Sequence, residues 1–246
     1  MENALTIALS RLVAQQRGVD VRAHNLANAS TPGYRAERML FSDYLVRQTR
    51  TDAPAGGGIL QYVQDRATWR DTQAGPITRT GNPLDLAIAG DGFFAITTPG
   101  GERYTRAGRF TLDADGRVTD ADGHALQGAA GPLVIPPEAG AIRITAEGSV
   151  STDQGEIGRL RVVRFDDPNS LRPEGDRLFA TDAPAVEMPQ PRILQGAVEG
   201  SNVRSIVEVA LMMDDLREFQ MAATFVEKEV ERLASIPDRI LRTRQS

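Results

Sequence analysis

Apolar residues recur along this chain at two different periods, and the change of period divides it into zones. Between residues 3 and 28, Leu5, Leu9, Leu12, Gln16, Val19, Ala23 and Leu26 follow alternating steps of four and three. All but Gln16 are apolar, which is the spacing of a coiled-coil seam on a helix. Gly18 lies in the same stretch and weakens a helix by about 1 kcal/mol relative to alanine. The pattern returns near the other end, where Val209, Met212, Leu216, Phe219, Ala223, Val226, Val230 and Leu233 step by three and four. Ser201 or Asn202 can cap this second helix through a side-chain oxygen. Pro237, which lacks a backbone donor, predicts its end or a kink. At about 1.5 Å per residue, helices over 3–28 and 202–236 run to roughly 40 and 50 Å. Ile206, Val207, Ala210, Met213 and Phe225 lie off the second seam, so that helix predicts more than one buried face.

Between the helices the period falls to two. Leu84, Leu86 and Ile88 alternate with Asp85 and Ala87, as a half-buried strand does. FFAIT at 93–97, RFTL at 109–112 and RVT at 117–119 follow, punctuated by DADG at 113–116 and again at 120–123. Asp-Gly is a hairpin signal because glycine takes the positive-φ position cheaply. PLVI, IRIT and GRLRVVRF continue the series. Short strands at regular spacing predict an all-β region over about residues 81–196. Residues 46–80 differ again, being polar, broken by glycine and proline, and dotted with single apolar residues such as Tyr62 and Trp69. They predict an extended arm that gains order by packing on something else. The fold class is therefore α+β. An N-terminal helix and turn occupy 1–45, an arm or linker 46–80, a β region 81–196 and a C-terminal helix 197–246.

Composition narrows the function classes. The chain has 246 residues, 28 Lys+Arg against 33 Asp+Glu, and a net charge of -5. That balance does not draw a protein onto nucleic-acid phosphates. With no cysteine, disulfides, thiolate metal sites and cysteine nucleophiles are excluded. The first residues, MENALTIALSRLVAQQRG, lack the cationic start and apolar run of a secretory signal, so export, if it occurs, is expected to need no cleaved signal. No stretch reaches the roughly 18 apolar residues of a membrane span, so no direct membrane insertion is expected.

Candidate chemistry is thin. His24 lies off the first seam and His124 sits in a turn. Neither DADG segment fits a calcium loop: from Asp113 the twelfth position is His124, and from Asp120 it is Gly131, where a glutamate is required. Gly90-Asp91-Gly92 lacks the third glycine of a dinucleotide loop, and no phosphate-loop, HExxH or GxSxG pattern occurs. No catalytic, cofactor or metal residue is assigned, and no enzyme activity is expected.

Four segments carry a more specific signature. AHNLANASTPGYR at 23–35, with Asn25, Asn28, Thr31, Pro32, Gly33 and Tyr34, reads physically as a helix stop and turn. Asn28 can take a left-handed conformation there, and Thr31 is held out of the helix by Pro32. TGNPLDLAIAGDGFFAI at 80–96 contributes Gly81, Asn82, Pro83, Asp85, Gly92, Phe93 and Phe94. YTRAGRFTLDADGRVTDADGHALQG spans 104–128, and VEGSNVRSIVEVALMM at 198–213 contributes Ser201, Asn202 and Val203. In this order they resemble the bacterial flagellar axial proteins, the rod and hook family, over nearly the whole chain. The start Met1–Leu5 and the modest length are most similar to proximal-rod members. Distal-rod members are near competitors, and hook proteins are usually longer.

The resemblance implies a structural role. Both terminal helices would sit in an inner tube as a coiled-coil-like domain, with the β domain outside and the 46–80 arm ordered by adjacent subunits. Partners would be other rod subunits, further copies of the chain and the flagellar type III export apparatus. The location would be the periplasmic rod, and no cofactor is implied. Leu5, Leu9, Leu12, Val19 and Leu26 would form an assembly seam with Val209, Met212, Leu216, Phe219, Val226, Val230 and Leu233. The alternative from another class is a soluble β-domain binding module with a helical dimerisation pair.

Overall fold

A computed structural model describes residues 2–47, 59–167, 170–175 and 177–243, with side chains described outside 2–7, 41–67, 233 and 235–243. Helix α1 covers Glu2–Ala27. Strands β1 (Glu37–Arg47) and β2 (Ile59–Arg70) follow and pair with each other. Next come β3 (Ile77–Arg79), β4 (Leu86–Ile88), β5 (Phe93–Thr98), β6 (Gly101–Thr105), β7 (Thr111–Leu112), β8 (Val118–Thr119), β9 (Ala125–Gly128) and β10 (Gly131–Pro132). Then follow β11 (Arg143–Ile144), β12 (Ser149–Thr152), β13 (Gly155–Arg159), β14 (Val162–Arg164), β15 (Arg172–Pro173), β16 (Leu178–Ala180), β17 (Val186–Glu187), β18 (Ile193–Gln195) and β19 (Ala197–Glu199). Helix α2 closes the order at Ser205–Thr243. The fold is α+β. The chain divides into two compact units: a helix unit of Met1–Ala27, Glu37–Trp69 and Arg204–Ser246, and a β unit of Asn28–Ala36 and Arg70–Val203.

In the β unit the longest sheet runs β15-β16-β6-β5-β9-β8-β7, with β10 beside β9 and β14 bridging β5 and β17. Its pairs are antiparallel, for example Phe94 opposite Thr105 and Val163 opposite Phe93. Strand β5 is central, and both its faces are buried, which is why FFAI reads as a run rather than an alternation. Phe94 and Ile96 enter the larger core with Leu86, Phe110 and Leu126. Phe93 and Ala95 turn to a second cluster with Tyr104, Phe165 and Phe179. Phe94 and Phe110 meet edge to face at 5.4 Å between centroids, an arrangement that adds about 0.5–1.5 kcal/mol to their burial. Both DADG segments are turns, as predicted. Asp113 Oδ1 accepts from the N–H groups of Asp115 and Arg117, and Asp120 Oδ1 accepts from those of Asp122 and His124.

Several expectations differ from the structure. The 84–88 strand is not half-buried: Leu86, Ala87 and Ile88 are all buried, and so is Asp85, because β4 pairs with β18 and packs into the larger core. The 46–80 segment is not a uniform arm, since it contains β2 and β3, and β3 pairs with β19 at Ile77 opposite Glu199. Part of it, 48–58, lies outside the described residues. The boundaries expected at 45 and 197 also shift, because 28–36 and 197–203 belong to the β unit. Of the two outcomes that Pro237 predicts, an end is excluded, since α2 continues to Thr243. Proline's fixed φ is itself helical, so the chain can run on through it with one backbone hydrogen bond fewer. Asn28 does not adopt a positive φ. Among the described non-glycine residues only Arg177 does. The Asn28 carbonyl instead accepts from Thr31 N–H at 3.1 Å.

Candidate assembly surface

The helix unit is built on close approach. Gln15 Nε2 donates to Glu218 at 3.0 Å, Gly18 faces Asp215, and Arg22 pairs with Asp215, so α1 and α2 run antiparallel. The face of α1 toward α2 carries Gly18 and the polar Gln15 and Arg22, with small Ala8 and Ala14 buried beside them. A Cβ at Gly18 would lie 3.4 Å from Asp215 Oδ2, an ordinary contact. Beyond this face, Glu208 of α2 is fully buried. Arg38 of β1 donates to its Oε1 at 2.5 Å, and Arg22 lies 3.7 Å from its Oε2. Two cations thus flank one buried carboxylate, and removing either partner of such a pair costs about 3–5 kcal/mol.

The seam residues fall beside this contact rather than in its centre. Leu12, Val19, Leu26, Val209, Met212, Phe219 and Val226 are half-buried. Leu9, Leu216 and Val230 are 47%, 40% and 49% exposed. The side chains of Leu5 and Leu233 lie outside the described residues. At about 100° per residue, the leucine rows point roughly a quarter turn away from the contact line. The contact line carries polar pairs and small residues, so the large apolar side chains fall to its sides.

The signature residues lock local chain paths. Asn25 is fully buried in the helix unit and bonds both ways with the Glu37 backbone, at 2.9 Å to its carbonyl and 2.8 Å from its N–H. In the β unit, Thr31 to Tyr34 close a turn with Pro32 and Gly33 in its middle. Gly33 has φ 71°, and a Cβ there would sit 2.5 Å from the backbone of Arg106 and Ala107. Tyr34 packs with Ala36 and Val203. Asn202 accepts from Ala36 N–H at 2.7 Å and donates to the carbonyls of Asp71 and Gln73. Asn82 makes a turn, accepting from Leu84 N–H and donating to Asp85. Gly81 and Pro83 flank it on the exposed side. Gly92 packs against Met188 and Val162, and Phe93 lies under the Arg106 guanidinium. Neither Ser201 nor Asn202 caps α2. Ser201 Oγ accepts from Val203, and the first turn closes instead on the Arg204 carbonyl.

Sequence reasoning missed the charged centre of the β unit. Glu199, 1% exposed, accepts from Arg35 at 2.9 Å and Arg106 at 3.1 Å, and also from Gly75 N–H. Arg106 reaches the carbonyls of Ile88 and Gly90 as well. Burial pushes the Arg106 pKa down from its ordinary value, against the opposing pull of Glu199. Three N–H or guanidinium partners on one carboxylate tie residues 35, 75, 106 and 199 together. The local signal was no more than a charge within each signature segment, Arg35 after Tyr34, Arg106 in YTRAG and Glu199 in VEG, with nothing to say that the three meet. His24 is half-exposed and lies 3.5 Å from Glu37, while His124 Nδ1 lies 3.1 Å from Asp120. Asp120, Asp122 and His124 form the one described group with metal-ligand spacing. The Asp120 carboxylate serves the turn and faces the His124 ring, and that of Asp122 accepts from Arg177.

Paired terminal helices that turn large apolar residues outward, in a chain with a separate antiparallel β unit, point to a protein that assembles with others. Three family models match in order: flagella basal body rod protein over 5–35, flagellar hook protein FlgE/F/G D1 domain over 87–152, and flagellar basal body rod FlgEFG protein C-terminal over 194–236. The chain is 35% identical to the flagellar basal-body rod protein FlgF of Caulobacter vibrioides, covering 98% of each. It is 32% identical to the FlgF of Escherichia coli, covering 90% of this chain and 91% of that one. To the flagellar basal-body rod protein FlgG of Agrobacterium fabrum it is 33% identical, covering 97% and 99%. The chain belongs to the flagellar basal-body rod protein family. Within that family it is FlgF-like.

Proposed function

We propose that this chain is a structural subunit of the flagellar rod, in its proximal part, where it helps enclose the export channel and transmits torque. The observation that carries the reading is the end-to-end similarity to FlgF proteins, 35% identity over 98% of the chain. The outward apolar faces of α2 support it, since Ile206 and Met221 are 87% and 66% exposed in the single chain. In this reading the helices pair with those of neighbours as a coiled-coil-like inner layer, and the β unit lies outside. Partners are other rod subunits and further copies of this chain. Delivery is through the flagellar type III export apparatus to the periplasm. Among the described residues no helix is long and apolar enough to cross a membrane. The role is structural rather than catalytic.

Deleting the gene and imaging basal bodies by electron cryotomography tests this. A rod missing or cut short near the inner membrane is expected, restored by the wild-type gene. A retained proximal stub would move the subunit to the distal rod, and a complete rod without a hook would make it a hook-level part. An intact motile flagellum, in a strain with no second copy of the gene, would refute the reading.

A further inference from the structure

A recess of about 310 Å³ opens within the β unit, which supplies every residue that lines it. Part of its lining is aromatic. Phe93 lies 5.8 Å from Phe165 and 5.7 Å from Phe179 between ring centroids, and Leu171 joins them. Guanidinium groups lie over two of these rings, Arg106 over Phe93 at 5.3 Å and Arg70 over Phe179 at 5.1 Å. Two of the lining cations, Arg35 and Arg106, are buried. Their charge is not balanced. Both pair with one carboxylate, that of buried Glu199. Their other bonds go to neutral carbonyls, of Thr72 from Arg35 and of Ile88 and Gly90 from Arg106. The Nε–H of each is buried without a hydrogen-bond partner among the described residues. Burial lowers the Arg106 pKa, Glu199 opposes that, and the like charge of Arg35 adds to it. The acids of the lining compensate poorly. Asp91 and Asp166 are exposed, and Asp71 accepts from Gln73 N–H. Asp166 lies 3.7 Å from Arg164, itself exposed. Water screens such rim charges, so they do little for a buried cation.

We infer that this recess binds a carboxylate carried on a flat apolar body, an aryl acid, with its ring among the phenylalanines and its charge towards the arginines. The inference goes beyond the rod-subunit reading and does not depend on it. Two buried cations on one buried carboxylate leave one positive charge over, and a monoanion supplies the missing partner. A planar guanidinium matches a carboxylate in geometry as well as in charge. Phosphate has a suitable charge but brings a hydration shell that phenyl rings cannot replace. A neutral aromatic would fill the apolar part and leave the charge unmet. A volume of about 310 Å³ lies at the small end of ligand sites, which favours an acid with a single ring. That chemistry has two sources, a free acid and a phenylalanine at the carboxyl end of a peptide.

The test is a titration of the purified full chain with phenylacetate, followed by amide chemical shifts in isotope-labelled protein. Saturable shifts are expected at Gly92, Phe93 and Phe179, with a dissociation constant on the order of 1 mM or tighter. Phenylacetamide, of the same shape without the charge, should bind at least about tenfold more weakly. Inorganic phosphate should not displace phenylacetate. Arg70→Gln is the deciding variant, because Arg70 is only half-buried whereas replacing buried Arg106 disturbs the fold. It should weaken phenylacetate about tenfold while shifts remote from the recess stay native. A short peptide ending in phenylalanine that binds at least as tightly as phenylacetate would assign the site to a chain end. Weaker binding of that peptide would assign it to a free acid. The absence of saturable shifts, or shifts confined to other parts of the chain, would overturn the inference. So would equal binding of phenylacetamide, displacement by phosphate, or unchanged affinity in Arg70→Gln. The rod reading stands or falls separately, on the gene deletion.

Discussion

Gly33 shows how much of this protein turns on single residues. Its φ of 71° already excludes most side chains, and a Cβ would meet backbone at 2.5 Å. Gly33→Ala is expected to cost at least the 1–3 kcal/mol (roughly) of a strained backbone, read as a lower urea midpoint. Glu199→Gln removes the charge that Arg35 and Arg106 share, leaving two buried cations facing a neutral amide. A loss of about 3–5 kcal/mol is expected by the same measurement. Tyr104 offers a pH test. Burial, then its hydrogen bond to Glu102, pushes its phenol up to about 12. Folding therefore favours the neutral phenol. Its contribution is whole below the unfolded value of about 10 and is lost as pH rises towards 12. Phenolate absorbance should show a late-titrating component that Tyr104→Phe removes. The signature residues Asn25, Gly33, Tyr34 and Asn202 were legible in the sequence because their types suit turns and backbone bonding. Their charged neighbours Arg35, Arg106 and Glu199 were not, because nothing local announces that residues so far apart in the chain share one buried carboxylate.

At the scale of elements, periodicity revealed both helices but not which face each turns to the other. The leucine rows dominate the pattern, yet the contact runs through Gly18, Gln15 and Arg22, because Gln15 pairs with Glu218 and Arg22 with Asp215 across it, and hydrophobic periodicity is blind to polar pairs. Gly18→Ala fits at 3.4 Å from Asp215 and should raise stability by up to about 1 kcal/mol. Gly18→Leu should push the helices apart and lower the thermal midpoint. Leu12→Ala and Leu216→Ala test the seam. If these side chains are fully buried between subunits, each removes about 2–5 kcal/mol of assembly energy. Cells carrying both should then assemble few rods although the free chain still folds, whereas normal rods would place the subunit contacts elsewhere. The strands of the β unit were legible from their turns, with Asp113 and Asp120 closing the hairpins as expected. Strands β1 and β2 were missed because 37–47 and 59–70 show no clean alternation, so most of the first was read into the N-terminal helix-and-turn segment and the second into the linker.

For the whole molecule, sequence and structure describe different states of completion. A single chain leaves Ile206, Met213, Met221 and Phe225 more than half exposed on α2, and apolar surface of that kind marks a place for a partner. The β unit, by contrast, buries Phe94, Phe110, Ile96 and Leu126 almost entirely within itself. The free monomer should therefore show strong hydrogen-exchange protection in the β unit and weak protection along α1 and α2. Protection of the helices should rise on assembly. Uniform protection in a verified monomer would mean that the helix pair is complete without neighbours. The most direct test of the account is electron cryomicroscopy of isolated basal bodies at a resolution that traces side chains. The account predicts this chain in the proximal rod, with α1 and α2 lining the channel and the β unit outward. Rod density fully explained by other subunits, or a β unit that lines the channel, would contradict it.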